Sequence, residues 1–187
     1  MTFAEFYEAS EIKSDKGTTH DYINGYYSNE FTSIRDNKLK ILEIGVHRGS
    51  SIKLLRDWFI NSEIIGIDPF GDGLPDGMAD EIRNMGDVRI IQNDAYTTEV
   101  LNMFEDDSID YLIDDGPHTL ESQLFSIQYW FPKVKRGGTM IIEDIQKFDR
   151  DKEKIDNLCS TLGLYYELVD LRSNKDRYDD VLLIFKK

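Results

Sequence analysis

The sequence predicts an α/β protein built on a mostly parallel sheet, with helices on both of its faces. From Leu39 onward, short apolar runs alternate with longer amphipathic runs, which is the pattern of strands that alternate with helices. The apolar runs lack alternating polar residues, as expected when both faces of a sheet are covered. The last two strand-like runs, YYELVDLRS and DDVLLIFKK, are joined by the short polar SNKDRY, which predicts a hairpin and therefore one antiparallel strand.

Five strands precede that hairpin, and each is followed by a predicted helix. The strand runs are KILEIGV, EIIGIDPF, VRIIQND, IDYLIDD and TMIIEDI, and the helical runs are SSIKLLRDWF, DEIRNM, TTEVLNMF, LESQLFSIQYWFPKV and KEKIDNLCSTLG. Ahead of them, Phe3, Phe6 and Tyr7 lie at helical spacing, and SDKGTTHDYINGYY mixes Gly, Thr and Asp with aromatics. We therefore expect one domain, residues 1–187, in which an N-terminal helix and covering segment (1–38) precede an α/β core (39–187).

Composition restricts the partners of this domain. Its 187 residues include 36 acidic and 22 basic side chains, a formal net charge of -14, and such a charge repels the phosphates of nucleic acids and anionic lipids. Cys159 is the only cysteine, which excludes an internal disulfide and a cysteine-rich metal cluster. Residues 1–10 carry acids and aromatics in place of the basic start and apolar run of a secretory signal. These features favour a cytoplasmic protein that binds neither nucleic acid nor membrane.

A glycine-containing turn follows the first predicted strand. In LEIGVHRGSS, Glu43, Gly45 and Gly49 form E-x-G-x-x-x-G, and Ser50 begins the next helix. Gly45 allows a sharp turn and the close approach of a ligand, and Gly49 allows the helix to pack on the strand. Ligands of open α/β sheets bind beyond the carboxyl ends of the strands, beside helix N-termini with free N–H groups. The turn is therefore a candidate ligand-binding loop.

Acidic residues end the second and third strands at the same edge of the sheet. Asp68 is placed to accept hydrogen bonds from a ribose diol, and Asp94 lies within reach of an adenine ring. A nicotinamide dinucleotide is disfavoured, because its pyrophosphate usually rests on G-x-G-x-x-G and His47 occupies the middle glycine position. Glu43 would repel a diphosphate but would suit a cationic amino acid. S-adenosylmethionine combines an adenine, a ribose and such a cationic end.

From about Leu39 to its end, the sequence resembles the class I S-adenosylmethionine-dependent methyltransferases. LEIGVHRG is similar to the first motif of that family, Asp68 to its ribose-binding acid and Asp94 to its acid on the adenine side. The resemblance implies a Rossmann-like sheet with strand order 3-2-1-4-5-7-6 and S-adenosylmethionine as the cofactor. It implies cofactor contacts from Glu43, Gly45, Gly49, Ser50, Asp68 and Asp94.

Carboxylates follow the fourth and fifth strands. YLIDDGPH supplies Asp114 and Asp115, and MIIEDIQ supplies Glu143 and Asp144, so all four arrive at one edge of neighbouring strands. Like charges at such spacing repel and raise carboxyl pKa values, and a hard divalent cation such as Mg²⁺ is their natural partner. His118 follows across a Gly-Pro turn and is a candidate general base toward a hydroxyl.

The pair IDDGPH and IEDIQ resembles the metal-dependent sugar and natural-product O-methyltransferases, including macrolide-sugar enzymes. This resemblance implies Mg²⁺ ligands at Asp115, Glu143 and Asp144, with His118 as the base and Asp115 beside it in the catalytic group. It also implies methyl transfer to a hydroxyl of a sugar or glycosylated small molecule. Asp114 then faces the other side of its strand, as a sulfonium-side or structural residue. SDKGTTHDY resembles a cofactor-covering stretch of related enzymes, and its weaker candidates are Asp15, Lys16, His20 and Tyr22.

Three alternative hypotheses remain open at this point. A methyltransferase acting on nitrogen or carbon would use the acids to orient its acceptor without metal, an NAD-dependent oxidoreductase would use the glycine loop, and a binding module would keep the pocket without turnover. Macrolide-sugar enzymes are usually longer than this sequence. The acceptor pocket is therefore expected from SDKGTTHDYINGYY, from the polar loop PFGDGLPDGM as a mobile flap, and from another subunit of a homo-oligomer.

Overall fold

The computed structural model describes residues 1–71 and 76–187. Its strands are β1 (Lys40–Ile44), β2 (Glu63–Ile67), β3 (Val88–Ile91), β4 (Ile109–Asp114), β5 (Val134–Ile142), β6 (Glu167–Asp170) and β7 (Val181–Lys186). Its α-helices are α1 (Phe3–Ala9), α2 (Asp15–Thr18), α3 (Ser28–Thr32), α4 (Ser50–Trp58), α5 (Met78–Arg83), α6 (Thr98–Leu101), α7 (Leu120–Phe125), α8 (Phe148–Leu162) and α9 (Arg172–Lys175). π-helical turns at Ile23–Tyr27 and Ser126–Trp130 adjoin α3 and α7. None of the helices in these two ranges is long and apolar enough to cross a membrane.

The strands form one seven-stranded sheet in the order β3-β2-β1-β4-β5-β7-β6. Strands β1 to β5 pair in parallel, whereas β7 pairs antiparallel with both β5 and β6. The predicted strand order and the single reversed strand are therefore confirmed. The connection between β6 and β7 holds only the one-turn helix α9, which leaves no room for a crossover helix.

Each face of the sheet carries its own apolar core, because successive strand residues point to opposite faces. On the first face, Ile41, Ile113 and Ile141 pack with side chains of α1, α3, α4 and α5. On the second face, Leu42 and Leu112 pack with side chains of α6, α7 and α8. Both faces are buried, as the uninterrupted apolar runs predicted.

The N-terminal segment covers the part of the first face that α4 and α5 leave open. The Phe31 ring packs edge-on against Tyr111 of β4, with 5.6 Å between ring centroids, and Phe3 packs against Trp58 of α4 at 5.3 Å. Phe3 and Tyr7, which lie at helical spacing, are therefore part of the apolar core on the first face of the sheet. The residues that follow α1 are carried by this packing toward the carboxyl ends of β4 and β5.

Several predicted boundaries differ from the structure; α8, for example, begins at Phe148, four residues before the predicted KEKIDNLCSTLG run. The largest difference is at β5. Strand β5 begins at Val134, five residues before the predicted TMIIEDI run, and the predicted helix LESQLFSIQYWFPKV therefore ends one residue sooner. Gly137, with φ of +80°, lies in the added part of β5, where the register with β4 shifts. The predicted flap PFGDGLPDGM falls partly on residues 72–75, which lie outside the described residues.

Candidate functional site

The turn after β1 is built around two glycines with left-handed backbone. Gly45 has φ of +88°, and a Cβ atom on it would lie 1.9 Å from the carbonyl oxygen of Asp115. Gly45 thus lets the loop after β4 approach the loop after β1. Gly49, with φ of +75°, is the N-cap of α4, where a Cβ would lie 3.1 Å from Ile82 of α5. Gly49 therefore caps α4 in a left-handed conformation and packs against α5, whereas the sequence analysis assigned it to the packing of a helix on a strand.

Gly45→Ala is expected to lower the free energy of unfolding by about 3 kcal/mol or more, because the new methyl group collides with backbone and the backbone stays in a strained region. Gly77→Ala is the matched control, since Gly77 has φ of +80° and, among the described residues, no atom lies within 4 Å of the added Cβ; it should cost about 1 to 2 kcal/mol. Urea unfolding of both variants measures the difference. Equal losses would show that the contact with Asp115 is unimportant.

A cavity of about 760 Å³ opens at this edge of the sheet. It is lined by the turn after β1 and by the residues that follow β2, β3 and β4, among them Gly45, Ser50, Asp68, Asp94, Tyr96, Asp115, Pro117 and His118. Four of the six residues predicted to contact the cofactor, Gly45, Ser50, Asp68 and Asp94, thus line the cavity, and Glu43 and Gly49 do not. Its size is within the range of small-molecule sites.

Asp68 is tied to the glycine turn by its own carboxylate. Its Oδ2 atom accepts hydrogen bonds from the backbone N–H groups of Val46 and His47, both at 2.8 Å, and its Oδ1 atom accepts one from Phe70 at 2.6 Å. This side chain shapes the turn and also faces the cavity. A carboxylate accepts about four hydrogen bonds in all, so Asp68 retains capacity for a ribose hydroxyl.

Asp114 holds a residue of the cavity wall, Tyr96, in place. Its two carboxylate oxygens accept hydrogen bonds from the hydroxyls of Tyr96 and Ser126, both at 2.5 Å, and it is buried. The hydroxyl of Tyr96 leaves no space beside Gly116, where a Cβ would lie 2.1 Å from it. Asp114 therefore fixes Tyr96 against the loop after β4, which agrees with the structural alternative for this residue.

A second group of side chains adjoins the cavity. Asp115, His118 and Asp144 each offer a ligand atom, and these atoms lie within 4.8 Å of one another. The Nε2 atom of His118 is 3.9 Å from Asp115 Oδ1 and 3.7 Å from Asp144 Oδ2. His118 and Asp144 have positive φ values of 54° and 53°, a strained backbone that is typical of functional positions. The loops after β4 and β5 thus aim one histidine and two carboxylates at one point.

Side chains from the N-terminal segment occupy the inner side of these acids. Lys16, which is 4% exposed, places its ammonium 2.6 Å from Asp115 Oδ2, 2.6 Å from Glu143 Oε2 and 3.3 Å from Glu43 Oε1. The Tyr27 hydroxyl donates a hydrogen bond to Glu143 Oε1. The sequence-predicted metal ligand Glu143 is therefore held by a lysine and a tyrosine in this structure.

A parallel arrangement holds Asp144. The Tyr22 hydroxyl donates to Asp144 Oδ1 at 2.5 Å and to the carbonyl oxygen of Asp179 at 3.2 Å. The His20 ring stacks on Tyr22, and its Nδ1 atom is 2.5 Å from Asp180 Oδ1. His20 and Tyr22, weaker candidates in the sequence, thus lie next to the acids at the ends of the strands.

The acids that contact Lys16 have raised carboxyl pKa values. Burial raises the pKa of Glu143 well above its ordinary value, and raises that of Asp115, although Lys16 opposes both shifts. Burial alone would lower the pKa of Lys16, but the carboxylates around it raise that pKa well above the ordinary value. Lys16 is therefore a charged ammonium among acids that depend on it.

The titration of Glu43 makes the stability of the folded chain depend on pH. Burial, opposed by Lys16, raises its pKa from 4.5 to about 7. The folded chain therefore binds this proton more tightly than the unfolded chain, and the resulting stability is complete below pH 4.5 and is lost as the pH rises through about 7. The loss is at most about 3 kcal/mol. Urea unfolding across this range should give a difference between wild type and Glu43→Gln that changes with pH, and a constant difference would contradict the assignment.

Glu43 was predicted to contact the cofactor, but the structure places it behind the cavity and not in its lining. It is fully buried, accepts a hydrogen bond from Ser51 at 2.6 Å and contacts Lys16, and it is not among the described residues that line the cavity. Within the described residues its Oε2 atom has no hydrogen-bond partner. Asp15, next to Lys16, lines the cavity in its place. An acid for a cationic ligand is therefore available from the N-terminal segment.

Sequence analysis missed Tyr27, Tyr96 and the pair Asp179 and Asp180. Tyr96 follows Asp94 by two residues, so its position after a strand was a usable signal. The two aspartates precede β7, and the start of an antiparallel strand lies at the edge where the parallel strands end. The predicted reversal of β7 could therefore have placed them. Tyr27 depends on the tertiary path of the N-terminal segment, which no local pattern gives.

Residues 42–145 match the model of a family described as a methyltransferase domain. Two curated relatives are the 8-demethyl-8-(2-methoxy-alpha-L-rhamnosyl)-tetracenomycin-C 3'-O-methyltransferase of Streptomyces olivaceus, 30% identical over 73% of this chain, and the mycinamicin VI 2''-O-methyltransferase of Micromonospora griseorubida, 27% identical over 83%. The chain spans 35% and 40% of the lengths of these relatives.

A solved structure with the same fold is the methyltransferase MycE from the mycinamycin biosynthetic pathway, in complex with Mg and SAH. It aligns with a TM-score of 0.65 at 20% sequence identity, over 89% of this chain and 49% of the other. Because 89% of the chain is more than the α/β core (39–187), the aligned part includes at least some of the N-terminal segment.

Proposed function

Since the chain belongs to the methyltransferase domain family, we propose that it transfers a methyl group from S-adenosylmethionine to a hydroxyl of a sugar or glycosylated small molecule, assisted by Mg²⁺. One observation carries the proposal. Asp115 and His118 line the cavity and also belong, with Asp144, to the group of possible metal ligands. A methyl donor in the cavity and an acceptor hydroxyl beside the acids would therefore meet at these two residues.

The cavity residues suit an adenosyl donor. Gly45 exposes backbone at the turn, Asp68 accepts hydrogen bonds on the side of β2, and Asp94 stands at the end of β3. Asp94 accepts a hydrogen bond from the Tyr96 N–H at 2.9 Å, which leaves most of its acceptor capacity free. Asp15 offers a carboxylate for a cationic amino acid end. These residues would bind and orient the donor, which is the main requirement of an in-line displacement.

The donor set beside the cavity fits a hard divalent cation. Asp115 and Asp144 supply carboxylate oxygens, and both are partly exposed, so an ion and an acceptor can reach them. Glu143, the third ligand proposed from the sequence, lies behind them against Lys16 and Tyr27. A bound Mg²⁺ would lower the pKa of an acceptor hydroxyl and help to orient it.

His118 is the proposed base. Its Nε2 atom is the ring nitrogen nearest to Asp115 and Asp144, so an acceptor hydroxyl placed by these acids lies within its reach. His118 would take the proton of that hydroxyl as the oxygen attacks the methyl group. The loop after β4 holds the ring over the cavity through the left-handed backbone of His118 itself.

The names of the relatives support a carbohydrate acceptor. Both are O-methyltransferases of glycosylated natural products, and they act on rhamnosyl-tetracenomycin and on mycinamicin VI. We extend only the acceptor class to this chain, because it spans less than half of either relative. Methyl transfer to nitrogen or carbon without metal is the alternative, and full activity of Asp115→Ala in chelator would favour it.

Isothermal titration with S-adenosylmethionine tests the donor half of the proposal. Labelled donor is then offered with a panel of rhamnosides and other deoxysugar glycosides, in Mg²⁺ and in EDTA. We expect heat of binding, label in at least one glycoside and loss of transfer in EDTA. Absence of binding would remove the methyltransferase assignment, and transfer that resists EDTA would remove the metal.

A further inference from the structure

Lys16 contacts three acids at the ends of three different strands, β1, β4 and β5, which makes it the central cation of the described site. Its ammonium lies 2.6 Å from Asp115 and from Glu143, and 3.3 Å from Glu43. Its side chain is 5% exposed, and those of Glu43 and Glu143 are 0% and 1% exposed. Such carboxylates repel one another strongly without a cation between them.

The backbone of Lys16 is fixed from both sides. Ser14 caps α2, and its carbonyl oxygen accepts a hydrogen bond from the Tyr7 hydroxyl at 3.0 Å, which ties the segment to α1. On the other side, Lys175 donates to the carbonyl oxygens of Gly17 at 2.5 Å and His20 at 2.8 Å. The ammonium of Lys16 is therefore delivered by a rigid segment and not by a mobile surface chain.

This contact divides the Asp115 carboxylate between two partners. Oδ2 faces Lys16, whereas Oδ1 is the atom 3.9 Å from His118 Nε2. A carboxylate held by one oxygen keeps its plane, so Lys16 sets the direction in which the free oxygen points. Glu143 in turn holds Lys16, because its Oε2 atom receives the ammonium and its Oε1 atom receives the Tyr27 hydroxyl.

We propose that Lys16 is a positioning residue for the proposed methyl transfer: anchored by Glu143, its ammonium orients the Asp115 carboxylate toward His118 and the acceptor. Glu143 then acts on the reaction through Lys16. The role of Lys16 in methyl transfer rests on the proposed function. The orientation of Asp115 by Lys16 rests only on the contacts that Lys16 makes. The competing explanation is that Lys16 only neutralises buried acids and stabilises the fold.

The test uses Lys16→Met, Glu143→Gln and the double variant, with Lys13→Met as control. Lys13 is an exposed N-terminal lysine whose ammonium donates to the carbonyl oxygens of Tyr7 and Glu8. In urea unfolding without metal, Lys16→Met should raise the unfolding equilibrium constant about a hundredfold or more, because it leaves buried charge unpaired. Adding Glu143→Gln to Lys16→Met should lower the unfolding equilibrium constant again by at least about tenfold, because one of the unpaired charges is removed.

Rates of methyl transfer then separate positioning from stability. At saturating donor and Mg²⁺, the rate of methyl transfer should be about a hundredfold lower than wild type in Lys16→Met and in the double variant, although the double variant has regained stability. Lys13→Met should keep the wild-type rate. A rate that recovers together with stability would overturn the proposal. Should Lys16→Met fail to fold, the double variant is compared with Glu143→Gln, in which Lys16 still contacts Asp115 and should therefore keep part of the rate. Equal rates of these two variants would then overturn the proposal.

A crystal structure of the double variant gives a readout that needs no acceptor. We expect the Asp115 carboxylate to turn, so that Oδ1 no longer lies 3.9 Å from His118 Nε2. An unchanged Asp115 would overturn the positioning role. If wild-type protein transfers no methyl group to any acceptor, the proposed function fails, while the crystal structure and the unfolding data still decide whether Lys16 orients Asp115.

Discussion

Replacing Asp115 by asparagine is expected to lower the rate of methyl transfer roughly a thousandfold, with little change in the affinity for S-adenosylmethionine. Asp115 Oδ1 faces His118, its Oδ2 faces Lys16, and the residue lines the cavity. The amide keeps the shape of the side chain but removes the charge that a cation and a lysine both require. Affinity for Mn²⁺ should fall with the rate. Stopped assays with labelled donor, and titration of donor and of Mn²⁺, measure the three quantities.

Asp106→Asn is the matched control for this variant. Asp106 is an exposed carboxylate that pairs with Lys133 at 2.7 Å, far from the cavity lining, so its replacement removes the same charge from the chain without touching the site. Its rate and its affinities should equal those of wild type. An Asp115→Asn variant that keeps more than about a tenth of the wild-type rate would contradict the role of this carboxylate.

Replacing His118 by alanine is expected to reduce the rate about 10²- to 10⁴-fold, the usual contribution of a general base. The ring lines the cavity, as Asp115 does, with Nε2 3.7 Å from Asp144 and 3.9 Å from Asp115. Because the base acts only on the acceptor proton, donor affinity should stay close to that of wild type. Added imidazole should restore part of the lost rate, since the cavity left by the ring opens toward solvent.

His47→Asn provides the comparison. His47 also lines the cavity and also has positive φ, 47°, but its contact with Asp68 is made by backbone N–H, and asparagine tolerates this backbone conformation. A small change in rate is expected. Equal losses in the His47 and His118 variants would point to a general disturbance of the cavity and would remove His118 as the base.

The sequence predicted the sheet and the edge at which ligands bind because both depend on local patterns. Apolar runs without polar alternation mark strands covered on both faces, and the acids Asp68, Asp94 and Asp115 lie within three residues of the ends of those strands. The structure puts all three at the cavity. Gly45 was assigned the close approach of a ligand, whereas the group packed against it in the structure is the backbone of Asp115. Local rules were therefore sufficient for the parts of the site that strands carry.

The inner side of the site could not be predicted from local patterns. Glu143 follows β5 as expected, but its partner Lys16 is 127 positions away and arrives on a segment whose path is set by aromatic packing on the first face of the sheet. A strand-end acid looks the same in sequence whether a metal ion or a lysine faces it. Only the packing of α1 and α3, which carries Lys16 to the strand ends, distinguishes the two.

The most direct test of the account is a crystal structure of the protein with S-adenosylhomocysteine and Mn²⁺, recorded with anomalous scattering. We predict an adenosyl group between Asp68 and Asp94, and one manganese peak bound by Asp115 and Asp144 on the side of His118 away from Lys16. A nucleoside outside the cavity, or a manganese peak that does not touch Asp115, would contradict the claim that donor and metal meet at this residue.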